Sequence, residues 1–379
     1  MNASKIVESL NDRCKYIFSI IQKDGPITKN QLINKADMKL STLNRDFQLL
    51  LDSKIIVEAA TAKSTGGRKP ALFDVNPYGF YSIGIDISRT YTQIVVTNLK
   101  IEMVADKVIN HFCNIDDIIQ IIPKCIKDLF NTLQIDKSML LGIGIGIVGG
   151  FDVKALQDKL IKGFEVPVYI DNGANTAVLG EYFFGLGKDK QNTAYINCGV
   201  GIRTGVISSG ILMRTINNTE DAFGHMIVQT GGELCSCGNY GCIESYSSIT
   251  KITEKFISEL EKGKNIFLDR DIKEIDYIDV CSLAEDNNEY AINVLMYAAL
   301  NFGIGLANFI RLFNPQLIIL SGPLIKQSKL FFDECKKIAL ENCHINNNDI
   351  KFNRGGYFKN KSICVGASVM VIKELLSSK

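Results

Sequence analysis

The sequence has no excess of charge of either sign. Lys+Arg number 42 against Asp+Glu 41, a formal net charge of +1, so no global field draws the whole molecule onto nucleic acid or a membrane. It also lacks long uninterrupted hydrophobic runs: none approaches the roughly 20 residues needed to span a bilayer. The first residues, MNASKIVESLNDRCK, have no apolar signal-peptide core. No membrane association is expected, and the chain is read as cytoplasmic. An even complement of cysteines is missing as well. Eleven cysteines in 379 residues argue against a disulfide framework. What is present is ordinary for globular protein: 46% hydrophobic and 22% charged residues, in a length that suits two or three domains.

The neutral total conceals an uneven distribution. Residues 1–75 hold twelve Lys/Arg and eight Asp/Glu, a balance of +4, which leaves −3 for the remainder. Within this basic head, Cys14, Ile17, Ile20 and Ile21 share one face of a helix over 11–23, which Asp24-Gly25-Pro26 ends. Thr28 and Gln31 have capping-box spacing and open a short helix with Leu32, Ile33 and Ala36 inward. After Asp37-Met38-Lys39, a third helix over about 41–53 places Leu43, Phe47, Leu50 and Leu51 inward. Its other face offers Ser41, Thr42, Asn44, Arg45 and Gln48, side chains that reach base edges and phosphates in a major groove. Strand-like residues 55–59 and 71–75 flank TAKSTGGRKP, a basic wing whose Arg68 and Lys69 are placed to meet phosphate or a minor groove. The whole reads as a winged helix-turn-helix, with Arg45 and Arg68 as the strongest candidates for DNA affinity.

From residue 80 the pattern becomes α/β. Apolar strands at 80–88, 91–99, 102–109, 140–148 and 166–172 alternate with helices at about 115–133 and 174–185. A second set begins with strands at 192–202 and 205–213, and later includes 316–322. Strand hairpins that alternate with helices twice over imply two lobes of similar topology with a cleft between them. Glycine-bearing segments at 84–90, 199–205 and 303–322 would line it, since glycine turns cradle phosphate with backbone N–H groups. The domains are expected at 1–75, 76–190 and 191–365, with a C-terminal helix at about 366–379 packing back on the first lobe.

Three cysteines stand apart from the eight scattered ones. His225, Cys235, Cys237 and Cys242 lie in GHMIVQTGGELCSCGNYGCIES, and Cys₃His fills the tetrahedral coordination of Zn²⁺ with no position open for catalysis. The CxC spacing is read as disfavouring a mutual disulfide. Structural zinc is the expected cofactor.

That segment resembles the zinc signature of the ROK family (repressors, open reading frames, kinases), GHxxxxxxGxxCxCGxxGCxE. IDNGANTAVLGE (170–181) is similar to the family's ENDANxxxxGE stretch, and LANFIRLFNPQLIILSGPL (306–324) to its LxNLxxxxNPExIxxGGxL stretch. The head, with GGRKP, resembles the winged helix of the repressor branch. The resemblance implies an N-terminal winged helix-turn-helix followed by a two-lobed actin-like, ribonuclease-H-like fold of the ATPase and sugar-kinase kind.

Departures from the family pattern fall on its chemistry. The aspartate that acts as general base in the kinases is here Gly173, after Asn172, and glycine cannot accept a proton. The first phosphate loop, DxGGT in the kinases, reads Asp86-Ile87-Ser88-Arg89-Thr90. The second, GTGxGGG, reads Gly199-Val200-Gly201-Ile202-Arg203-Thr204-Gly205, and the nucleotide-side GG pair reads Ser321-Gly322-Pro323. The sugar-binding glutamate of GExGH is Ala222. The resemblance leaves Asn172, His225 and Glu244 as candidate effector-binding residues. The expectation is a non-enzymatic, DNA-binding transcriptional regulator, a repressor acting as homodimer or homotetramer on an inverted-repeat duplex operator. A sugar or sugar derivative is the expected effector, with no ATP as cofactor. A ROK kinase with an appended DNA-binding head, and an effector-independent DNA-binding protein with a vestigial cleft, are the alternatives.

Overall fold

The computed structural model describes residues 2–61, 70–88, 91–110, 115–148, 153–214, 222–262, 271–343 and 350–377. Contacts divide the chain into two compact units, Met1–Asp171 with Ile363–Lys379, and Asn172–Ser362.

The first unit begins with α1 (Ala3–Glu8), α2 (Asp12–Asp24), β1 (Ile27–Thr28), α3 (Lys29–Ala36), α4 (Leu40–Asp52), β2 (Ile56–Thr61) and β3 (Ala71–Val75). Asn11 caps α2 by accepting from the Cys14 amide at 2.9 Å, and Thr28 and Gln31 form the capping box at α3. Cys14, Ile17, Phe18 and Ile21 of α2, Leu32 and Ala36 of α3, and Leu43, Phe47 and Leu50 of α4 are buried. Two inward positions of α4 differ from expectation. Leu51 is only half-buried, and the carboxylate residue Asp46 is buried instead, because it has cationic partners described below. The wing hairpin gains a third strand, in the order β1-β3-β2.

The same unit continues with β4 (Tyr81–Ile87), β5 (Tyr91–Asn98), β6 (Met103–Asn110), α5 (Ile115–Leu133), β7 (Leu140–Ile147), α6 (Lys154–Phe164) and β8 (Val168–Asn172). Its sheet runs β6-β5-β4-β7-β8, with β4 and β7 parallel. Strict alternation in the two central strands explains what covers each face. Ile83, Ile85, Ile143 and Ile145 join a core with Ile122 and Ile126 of α5 and Leu156 and Leu160 of α6. On the other face, Gly84 and Gly144 admit the C-terminal helix (Ser362–Leu376) at backbone distance. A Cβ on Gly84 would lie 1.8 Å from the Cys364 carbonyl oxygen, and one on Gly144 2.0 Å from that of Ala367, so only glycine fits.

The second unit contains α7 (Gly173–Phe184), β9 (Thr193–Cys198), β10 (Ile202–Ser208), β11 (Ile211–Leu212), α8 (Glu244–Ser247), α9 (Ile249–Glu261), α10 (Tyr277–Glu285), α11 (Glu289–Phe313), β12 (Leu317–Ser321), α12 (Pro323–Gln327), α13 (Lys329–Cys343) and β13 (Lys351–Arg354). Its sheet runs β11-β10-β9-β12-β13, the strand order of the first sheet repeated. Helix α11 is long and apolar enough to span a bilayer by length and composition. In this fold Leu295, Phe302, Leu306 and Ile310 are buried in the core with Phe331 and Cys335 of α13. Glu181 on α7 is a buried carboxylate. It accepts from the amides of Leu186 at 3.3 Å, Tyr357 at 3.0 Å and Phe358 at 3.1 Å, and from Ser362 Oγ at 3.0 Å.

Candidate DNA-binding face, metal cluster and altered kinase loops

Helix α4 presents a polar face because its apolar residues are spent on the head's core. Ser41, Asn44, Arg45 and Gln48 are exposed and Thr42 is half-buried. Asn44 Oδ1 accepts from Lys29 Nζ at 3.4 Å, and Gln48 Nε2 donates to Asp52 at 2.8 Å. Beneath this face, Asp46 accepts from Arg13 Nε at 2.7 Å, Arg45 Nε at 3.3 Å and Asn11 Nδ2 at 3.4 Å. Burial acts to raise its carboxyl, but the hydrogen bonds from Arg13, Asn11 and Arg45 outweigh it and hold it below the ordinary carboxylate range. Asp46 therefore ties the start of α2 to the middle of α4 and orients Arg45. The wing residues Arg68 and Lys69 lie outside the described residues.

The cysteine-rich segment folds into a knuckle. Cys235 N donates to Asn239 O at 2.8 Å, Gly238 N to Cys235 O at 3.0 Å, and Val228 N to Gly241 O at 2.8 Å. Gly241 has φ of +81°, and a Cβ there would lie 1.7 Å from the Gln229 carbonyl oxygen, so this turn requires glycine. The fold brings together one ligand atom each from His225, Cys235, Cys237 and Cys242, all within 4.8 Å of one another. His225 Nδ1 lies 3.5 Å from Cys235 Sγ, and Cys237 Sγ lies 3.7 Å from Cys242 Sγ. A disulfide requires about 2.0 Å. A tetrahedron with metal–sulfur bonds of about 2.3 Å has edges of about 3.8 Å, so spacing and donor set suit a zinc-like ion. Burial pushes the Cys242 thiol up to about 12, while the backbone hydrogen bond at Asn239 draws Cys237 below the usual thiol range.

The segments that resemble kinase loops are filled by the chain's own groups. Arg203 lies over Gly201, where a Cβ would be 2.5 Å from Nη1. Its Nη1 donates to Glu244 Oε2 at 3.2 Å, and the same oxygen accepts from the Ile202 amide at 2.9 Å. Glu244 Oε1 accepts from Ser236 Oγ at 3.3 Å. The carboxylate expected to meet an effector is thus held by an arginine, by a loop amide and by the hydroxyl between two cysteines of the His/Cys cluster. Asn172 is buried and serves as N-cap of α7, its Oδ1 accepting from Asn175 N at 2.6 Å; Gly173 follows as the first helical residue. In the first loop, Asp86 is buried and accepts from Tyr91 Oη at 3.0 Å. Burial pushes its carboxyl up to about 7, against that hydrogen bond; Arg89 and Thr90 lie outside the described residues. Three participants escape a reading of sequence: Asp46, Arg203 as the partner of Glu244, and Glu181. An Asp amid an apolar stripe was the one visible signal.

The ROK family model matches residues 82–374. The chain belongs to the ROK family. This ROK chain is 28% identical over 337 residues to the xylose repressor of Bacillus subtilis, with 85% of each chain covered. It is similar to a crystal structure described as a ROK family transcriptional regulator, homologue of the E. coli MLC protein. The TM-score is 0.81 at 24% identity, over 98% of this chain and 97% of that one. A ROK family glucokinase from Streptomyces griseus in complex with glucose and AMPPNP matches 76% of this chain and 98% of its own, with TM-score 0.64 at 24% identity. The body therefore has the actin-like sugar-kinase fold.

Proposed function

We propose that this ROK chain is a DNA-binding transcriptional repressor that acts as a homo-oligomer on an inverted-repeat duplex, with residues 1–75 as its DNA-binding domain. The exposed polar face of α4 carries the reading: Ser41, Asn44, Arg45 and Gln48 stand clear of the core, while Asp46 secures the helix that bears them. The relative named as a xylose repressor supports it. Zn²⁺ held by His225, Cys235, Cys237 and Cys242 would be structural, since four ligands complete its tetrahedron. With Zn²⁺ held there the knuckle would be fixed in place, and the hydrogen bond from Ser236 Oγ to Glu244 Oε1 would carry that order to the glycine loop. A sugar-like effector is assigned to Asn172, His225 and Glu244, and would exchange its hydroxyls for the existing partners of Glu244.

Phosphoryl transfer has no support in these residues. Gly173 cannot act as base, and Arg203 and Glu244 occupy the turn where backbone amides would receive a phosphate.

Selection of bound duplexes from a random pool, with and without a panel of sugars, tests the reading. An inverted repeat should be enriched. Arg45→Ala should lower affinity by about 1–3 kcal/mol or flatten the salt dependence, according to whether Arg45 meets a base or a phosphate. Absence of enrichment, or saturable ATP-dependent phosphorylation of a sugar in a coupled assay, sinks it.

A further inference from the structure

The head and the first lobe share one compact unit, and one turn does much of the joining. Between β5 and β6, the Asn98 side-chain oxygen accepts from the amides of Lys100 at 2.9 Å and Glu102 at 3.1 Å. Its Nδ2 donates to Glu102 Oε2 at 2.8 Å, and Ile101 N donates to Asn98 O at 3.0 Å. Leu99 and Ile101 are buried. Ile101 has φ of +62°, a left-handed backbone that a β-branched residue adopts only when its surroundings impose it. The turn is therefore a fixed shape.

Two groups on this turn hold the head. The Leu99 carbonyl accepts from Gln22 Nε2 of α2 at 2.8 Å. Lys100 Nζ lies 2.6 Å from Asp74 Oδ2 of β3, with the side chains 31% and 13% exposed. At the chain's start, Asn2 Nδ2 donates to the Glu165 carbonyl at 3.1 Å, and Ala3 and Val7 are fully buried. Only five residues, 76–80, separate β3 from β4. Of these, Asn76 is pinned: its amide donates to Ile55 O at 2.9 Å and its Nδ2 to Lys54 O at 2.8 Å. This is the opposite of a flexible tether.

We propose that the Asn98–Glu102 turn is a socket that fixes the orientation of the winged helix on its lobe, so that Gln22, Asp74 and Lys100 set the half-site spacing an oligomer accepts. The proposal rests on the DNA-binding reading above. Gln22 and Lys100 are positioning residues, since neither lies on α4. A loosely tethered head would engage half-sites over a range of separations. A fixed head loses simultaneous engagement as soon as the second half-site rotates out of phase.

The test uses the full chain on a selected operator whose half-sites are moved apart stepwise to about five base pairs, half a helical turn. Wild type should lose roughly 100-fold in affinity at the half-turn displacement. The Gln22→Ala/Lys100→Ala double variant should lose less than about tenfold across the series, with single half-site affinity unchanged. Lys100→Arg should restore the wild-type preference, and Gln22→Ala alone offers a milder variant if the double one unfolds. A wild type indifferent to spacing, or a double variant as selective as wild type, overturns the proposal. Should neither protein bind DNA, the functional reading fails, and energy transfer between labels on the exposed residues Ser41 and Lys127, introduced as unnatural amino acids, decides the socket separately. A narrow distance distribution in wild type that broadens in the double variant supports it; equal widths overturn it.

Discussion

The head and the body treat their polar groups in opposite ways. In the head, apolar residues and the Asp46 network are turned inward, so that Ser41, Asn44, Arg45 and Gln48 remain exposed. In the body, the charged groups at the second glycine loop are turned on one another, Arg203 against Glu244. The first arrangement is suited to meeting a partner, the second to holding a loop shut. The body nevertheless keeps both five-stranded sheets, in matching strand order. Scaffold and chemistry are separable because the sheets depend on alternation and burial, whereas a reaction depends on a few side chains at strand ends.

The largest expected effect comes from the body's His/Cys cluster. If the cluster holds zinc as proposed, Cys242→Ser, which removes one of its buried thiols, should cost on the order of 4 kcal/mol and lower the melting temperature by about 10 °C. A chelator should reproduce the loss in wild type but not in the variant, as thermal unfolding with metal analysis would show. If melting is indifferent to chelator, the cluster is not a metal staple.

Next in size is Glu181→Gln. An amide cannot replace a carboxylate facing three N–H groups and a hydroxyl, and about 3 kcal/mol should be lost in denaturant unfolding. Arg203→Ala should cost less, about 1–2 kcal/mol, because Glu244 keeps the Ile202 amide and Ser236 as donors. If the loop is held shut for lack of chemistry, this variant should still show no ATP-dependent phosphorylation in a coupled assay. Activity in Arg203→Ala would dissolve the contrast between an outward-facing head and a closed body.

The smallest effect probes the head. Asp46 titrates below its unfolded value, so its contribution is complete above the ordinary carboxylate range near pH 4 and is lost as pH falls through its lower folded value. Asp46→Asn should remove this component of the acid unfolding curve and weaken DNA binding through the orientation of Arg45. An acid limb unchanged in the variant would separate Asp46 from head stability.

Local patterns were legible where they have a period or a spacing. The helix over 115–133 and the strand at 71–75 match their structural bounds, and the capping box at Thr28 is in place. Ligand-type atoms of His225, Cys235, Cys237 and Cys242 lie within 4.8 Å of one another, close enough to share an ion. Helix α1, with six residues, and strand β1, with two, leave no signal in the sequence because neither is long enough to show a period. Helix α6 is not among the expected elements, although Leu156, Leu160 and Phe164 give it an apolar stripe at helical spacing. The burial of Asp46 is not legible locally, because it depends on Arg13, 33 positions away.

By itself, the amino-acid sequence determined the identities that permit or forbid chemistry. A glycine at 173 cannot be a base, three cysteines and a histidine can hold a metal, and alternating Gly and Ile at 142–147 must make a two-faced strand. Only the tertiary structure decided which groups became partners. Glu181 meets amides 176 and 177 positions later, Arg203 meets a carboxylate 41 positions later, and Lys100 reaches back 26 positions to Asp74. Such pairings carry no local period. They follow from how the sheets bring distant turns together, and burial then makes each one costly to leave unsatisfied.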